Sequence, residues 1–140
     1  MKSQLFFLGL IVLALSQTSQ QVFENLHKAK TWGEGVSSNL CFNLDYIMRL
    51  QHTVDLPDVR KIVEIGYGDW AITGEIYLTD KEYIGYEVVK NLIIEQVPSN
   101  VHFKYIRNIK DVAEGGDLLV IKDVLMYLPN DQIEYVMSAI

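Results

Sequence analysis

The sequence predicts an α/β fold built on a mostly parallel, doubly wound sheet, and three observations carry that prediction. Short apolar runs of strand length recur at 61–65, 82–88, 101–106 and 118–121. Helical or polar, glycine-containing stretches separate them, so the two kinds of element alternate. The first run ends in two glycines one residue apart, Gly66 and Gly68 in KIVEIGYGDW (61–70), where a sharp turn needs residues without a Cβ.

The chain opens with MKSQ, then the apolar run LFFLGLIVLAL (5–15), then SQTSQ. This three-part order predicts a secretory signal peptide over 1–16, with Ala14 and Ser16 at the positions a signal peptidase reads. The apolar run is too short to span a hydrocarbon core, which needs about 20 helical residues. The leader directs the chain to the secretory pathway or outside the cell; a cytoplasmic location follows if the leader is not the true start. Residues 17–60 form an N-terminal helical cap segment, and 61–140 form the α/β unit.

Within the cap, LCFNLDYIMRLQ (40–51) sets Leu40, Leu44, Ile47 and Met48 at helical spacing, which predicts an amphipathic helix with that stripe inward. Pro57 ends the connection that follows. KIVEI (61–65) is the first strand, and AITGEIYL (71–78) is a helix interrupted by Gly74. EYIGYEV (82–88) is the second strand, and VVKNLIIEQ (88–96) is a helix running to Pro98. VHFKYI (101–106) alternates in the strand manner, and LLVI (118–121) is apolar throughout, as in a strand covered on both faces. PNDQIEYVMSAI opens the last helix, with Pro129 in its first turn and Asp131 complementing its N-terminus.

The 140 residues carry 18 acids and 12 bases, a net charge of −6 with no basic patch, which argues against a nucleic-acid backbone as the main partner. Cys41 is the only cysteine, so no internal disulfide forms, and its apolar neighbours predict a small buried side chain. His27, His52 and His102 are too far apart for zinc-type spacing, so no metal site is expected.

In a doubly wound sheet, ligands bind beyond the carboxyl ends of the strands, where strand order reverses. Gly66 and Gly68 lie beside that point, and Asp69 begins a turn expected to aim a helix N-terminus at the same space. The dinucleotide pattern G-x-G-x-x-G would need glycine at Ala71, and the phosphate-loop ending Gly-Lys-Ser/Thr is absent. Those absences set a nicotinamide-dependent oxidoreductase aside. Glu87 ends the second strand 21 residues after Gly66, the spacing at which a carboxylate accepts both hydroxyls of a ribose. Together the glycines and Glu87 predict a nucleoside-containing cofactor.

VEIGYGDW, YIGYEVVKNLI and DLLVIKDVLMYLPNDQI resemble the corresponding stretches of the S-adenosylmethionine-dependent methyltransferases of the Rossmann-like class. One group in that family carries a G-C-G-D-W turn after a segment with W-G and small polar residues, which Trp32-Gly33 and VSSN echo. The resemblance covers residues 22–140 and implies a four-strand portion of the family's sheet, in the order 3-2-1-4. It implies that 61–140 is a partial cofactor-binding domain for S-adenosyl-L-methionine. Glu64, Gly66 and Gly68 would then face the methionine part, with the backbone of Gly66 closest, Asp69 would bind the cofactor from the turn that follows, Glu87 would hold the ribose and Val88 would pack near the adenine. Lys122 and Asp123 would flank the sulfonium and a methyl acceptor of unknown identity. The chain departs from the family at Tyr67, a small residue in the closest group, at Arg107 and Asn108, where the family has an acid, and at Tyr127, often histidine. Four strands also leave the fourth with an open apolar edge, which a partner would cover. The alternative is a secreted, catalytically silent α/β binding module with the same fold.

Overall fold

The computed structural model describes residues 18–29 and 40–138. The leader, Trp32-Gly33 and residues 36–39 lie outside the described residues. Helix α1 (Ser19–Lys28) and helix α2 (Leu40–Val54) precede strands β1 (Lys61–Ile65), β2 (Glu82–Glu87), β3 (Val101–Tyr105) and β4 (Leu118–Ile121), and helix α3 (Asn130–Ser138) follows. The strands form one all-parallel sheet in the order β3-β2-β1-β4. This is the α/β architecture the sequence predicts, consistent with a truncated Rossmann-like fold.

The register places Ile62 beside Tyr83 and Leu118, and Tyr83 beside Val101. Side chains alternate across a strand, so each position is committed to one face. On the first face, Ile62, Tyr83, Val101 and Val120 pack with Leu50 and Val54 of α2 and with Ile76 from the β1–β2 connection. On the second, Val63, Ile84 and Tyr86 pack with Ile106, while Ile65 packs with Ile109 and with Val136 of α3. Burial is nearly complete along β1 and β2, which explains why their sequences are apolar rather than strictly alternating. Tyr83 is 0% exposed, and burying so large a side chain contributes about 2–3 kcal/mol. Asp117 ties the start of β4 to the start of β1: its Oδ2 accepts from the backbone N–H of Arg60 and of Lys61, each at 2.9 Å.

Four local expectations change. The segment 71–78 is a single 3-10 turn at Thr73–Glu75 rather than an α-helix. Trp70 takes a left-handed φ of 61°, and its ring packs 3.4 Å from the point where a Gly74 Cβ would stand, so the chain folds back on itself there. The segment 88–96 likewise gives only the 3-10 turn Lys90–Leu92. Val88 and Val89 donate their N–H groups to Glu87, Val89 is extended, and the β-branched residues 88, 89, 93 and 94 are poor helix formers.

The inward face of α2 is not the predicted stripe. Asn43, Leu50 and Val54 are buried, whereas Leu40, Leu44 and Met48 are exposed and only Ile47 of that stripe packs on the core. The true helix runs to Val54, and that extra turn anchors it, rotating the apolar stripe of its first half outward. Cys41 turns outward with it and is exposed.

Gly85 of β2 makes room for two rings: a Cβ there would stand 2.6 Å from Tyr67 and 2.9 Å from Phe103. Gly85→Val is expected to lower unfolding stability by about 1–3 kcal/mol, the usual cost of overpacking. Gly115→Ala, whose Cβ meets nothing within 4 Å, is expected to change it by less than about 0.5 kcal/mol. Urea unfolding of the two variants, compared with wild type, checks the difference.

Candidate functional site

The chain runs β1, β2, β3 outward in one direction and then returns to the other side of β1 for β4, so strand order reverses between β1 and β4. The carboxyl ends beside that point carry the residues singled out from sequence. Gly66 and Gly68 both have left-handed φ, 77° and 63°. Their bareness serves different ends. A Cβ on Gly66 would collide with the Val124 side chain, so this glycine admits the turn that follows β4. A Cβ on Gly68 would meet nothing within 4 Å, so this glycine faces open space. Of the two, Gly68 is the one whose backbone a ligand can approach.

Glu87 is 5% exposed and binds the turn to the end of β2. Its Oε2 accepts the N–H of Gly68 at 3.1 Å, and its Oε1 accepts those of Val88 at 2.8 Å and Val89 at 3.0 Å. Val88 itself is half-buried against the second-face core. Asp69 is exposed and accepts the N–H of Ala71 at 3.1 Å, closing a local turn. No α-helix follows it, so the expected helix N-terminus is absent from this space.

Glu64 lies inside the first face, 3% exposed. Tyr83 donates its hydroxyl to Oε2 at 2.5 Å, and Thr73 donates its hydroxyl to Oε1 at 3.0 Å. Burial raises the Glu64 pKa from 4.5 to about 6; the two hydrogen bonds pull it down, the Glu87 charge pushes it up and Lys122 opposes that. Glu64 therefore supports the site from beneath rather than lining it. Lys122 and Asp123 form an ion pair with each other, and the Lys122 ammonium stands 5.6 Å from the centre of the Tyr46 ring. Asp123 is in the left-handed region, φ 57°. Tyr46 from α2 is pushed up to about 12, by burial first and then by the Glu64 and Asp123 charges, so its hydroxyl stays protonated.

Sequence reading missed the roof. In α1, Gln20 donates to the hydroxyl of Tyr105, the last residue of β3, at 2.8 Å. Phe23 sets its ring edge-on to Tyr127, beyond the end of β4, with centroids 5.6 Å apart. β3 and β4 are the two outer strands, so α1 is tied to the sheet at the carboxyl ends of both of them. Tyr67 was seen only as a departure from a motif. It is buried against Phe103, with ring centroids 4.4 Å apart, and donates its hydroxyl to the Leu92 carbonyl at 3.2 Å. It thus fastens the glycine turn to the β2–β3 connection. After β3, Asn108 caps the 3-10 turn Ile109–Asp111, and the Asp111 carboxylate accepts the N–H groups of Arg107 and Asn108.

Among the described residues, no helix is long and apolar enough to cross a membrane, and no cluster of His, Cys, Asp and Glu is arranged to hold a metal ion. No protein-family model, curated protein or solved structure matches the chain.

The raised Glu64 pKa has a definite sign in stability. Between pH 4.5 and about 6 the folded chain holds a proton that the unfolded chain has lost, so stability falls as pH rises through that window. The loss of stability is on the order of 2 kcal/mol, absent below the window and complete above it. In Glu64→Gln the amide can still accept from Tyr83 and donate to Thr73, and that slope is expected to vanish. Urea midpoints of both proteins at pH 4.5 and 6.5 measure it; equal slopes would contradict the assignment.

Proposed function

We propose that the chain is the cofactor-binding part of an S-adenosylmethionine-dependent methyltransferase, and that the cofactor lies between the glycine turn and α1. The observation that carries this reading is Glu87: a carboxylate ending β2 and bonded to the turn that ends β1, at the reversal of strand order. The residues suit a nucleoside ligand at a second point. The unfilled Cβ position of Gly68 leaves its backbone open to close approach.

When bound, this cofactor supplies a methyl group activated on a sulfonium for in-line displacement. The chain's own work is alignment. Glu87 accepts the ribose hydroxyls, exchanging backbone N–H partners for them. Val88 stands next to it on the adenine side. Gly68 brings the backbone close to the methionine part, and Glu64 holds that turn through Thr73. Lys122 and Asp123, at the end of β4, flank the methyl acceptor. The α1 helix excludes water from above, with Gln20 and Phe23 as its two attachments. By the leader, this takes place in the secretory pathway or outside the cell, and a partner strand covers the outer edge of β4.

One observation favours the second reading, a catalytically silent binding module of the same fold. Glu87 is already engaged by three backbone N–H groups and Tyr67 holds the neighbouring connection, so the turn is satisfied without a ligand.

Calorimetric titration of the full chain with S-adenosylhomocysteine separates the two. The first reading expects micromolar binding, about −8 kcal/mol. It expects that binding to disappear in Glu87→Ala and in Gly68→Val, and to weaken roughly tenfold in Phe23→Ala as the roof loosens. Circular dichroism establishes that each variant is folded. No heat from a folded wild-type chain leaves the silent module as the reading.

A further inference from the structure

We propose that the second face of the sheet carries a binding site for a neutral, largely apolar small molecule, independent of the carboxyl-end site. A cavity of about 440 Å³ opens there between the sheet, the β3–β4 connection and α3. Its floor is Val63 and Ile65 of β1 with Leu119 of β4, and its walls include Ile109, Val112 and Val136. The reason for the hollow lies in the connection. Between β3 and β4 the chain makes one 3-10 turn, Ile109–Asp111, and then runs through Gly115 and Gly116 without a crossover helix. A parallel sheet is normally covered by helices on both faces, and among the described residues α3 is the one α-helix that packs on this part of it, beside short 3-10 turns.

The size, floor and rim together define the ligand. The volume is about three times that of an apolar cavity that takes benzene, roughly 150 Å³, and falls within the range of about 300–1,000 Å³ typical of small-molecule sites. A peptide segment would bring backbone N–H and C=O groups onto an aliphatic floor that cannot satisfy them. At the mouth, Glu114 is bonded to both Lys61 and Lys104, and Asp117 accepts two backbone N–H groups. These charges are engaged within the fold, so a charged ligand finds no counter-ion and a neutral one is favoured. Tyr135 lines the cavity beside the polar groups of Glu114 and Asp117. The Tyr135 hydroxyl stands 3.5 Å from the Lys110 carbonyl, at the far limit of a hydrogen bond, so a ligand carbonyl can take it at little cost. The ligand class is therefore a neutral molecule of about two fused rings with one hydrogen-bond acceptor.

Prodan, a neutral naphthyl ketone whose emission shifts blue in apolar surroundings, is the probe. Titrated into the full chain, it is expected to bind saturably with a micromolar dissociation constant. Gly115→Trp puts a large side chain at the mouth where a Cβ meets no neighbour within 4 Å, and is expected to weaken binding at least tenfold. Tyr135→Phe is expected to weaken it roughly three- to tenfold, the worth of one hydrogen bond. Excess S-adenosylhomocysteine is expected to leave prodan bound whether or not it binds elsewhere. The proposal is overturned by absence of saturable binding, by equal binding in both folded variants, or by displacement with S-adenosylhomocysteine.

Discussion

A carboxylate in the middle of a parallel sheet has to be hydrogen-bonded or protonated, and Glu64 imposes that demand on everything around it. Its two donors come from different parts of the chain, Tyr83 from the neighbouring strand and Thr73 from the connection between them. The first donor makes the register of β1 against β2 matter chemically as well as sterically. The second pins down a segment that has no α-helix to hold it. Between Thr73 and the glycine turn, Trp70 takes a left-handed conformation. Replacing Glu64 by an apolar residue would strand the Tyr83 hydroxyl, which burial and the Glu64 charge keep protonated.

The strands were legible because each is an apolar run whose length matches a strand and whose ends carry glycine or polar residues. Their order was legible through the resemblance, and the glycine turn through its spacing to Glu87. The connections were not. Periodicity suggested helices at 71–78 and 88–96, but the decisive forces there are side chains capturing backbone groups: Glu87 on Val88 and Val89, and Tyr67 on Leu92. The burial of α2 was misread because its stripe and its anchoring residues do not coincide. Leu50 and Val54 lie in its last turns and decide which face goes inward.

The candidate site was legible in part. Glu87 and Gly68 stand together as their spacing suggests. The roof was invisible because its contacts, Gln20 to Tyr105 and Phe23 to Tyr127, join residues far apart in sequence and of unremarkable type. Gly66 and Gly68 look equivalent in a sequence, and only packing against Val124 distinguishes them. The two faces of the sheet also differ in finish. The first is closed by α2 and the β1–β2 connection, and the second is left hollow where the β3–β4 connection runs without a helix.

The connections between the strands are held by pegs rather than by ladders. Gln51 clamps Tyr77 through both its backbone N–H and its carbonyl, Asn100 holds the carbonyls of Leu78 and Lys81, and Tyr67 holds that of Leu92. Each peg is a single side chain, whereas the sheet beneath is a cooperative array of backbone bonds. Local opening in such segments costs far less than global unfolding, so their amide hydrogens exchange with solvent before those of β1 and β2. At the carboxyl end, the peg from Tyr67 to Leu92 puts the glycine turn beside one such segment. A molecule bound there meets the closed form for only part of the time, and its measured affinity is the intrinsic affinity multiplied by the closed fraction.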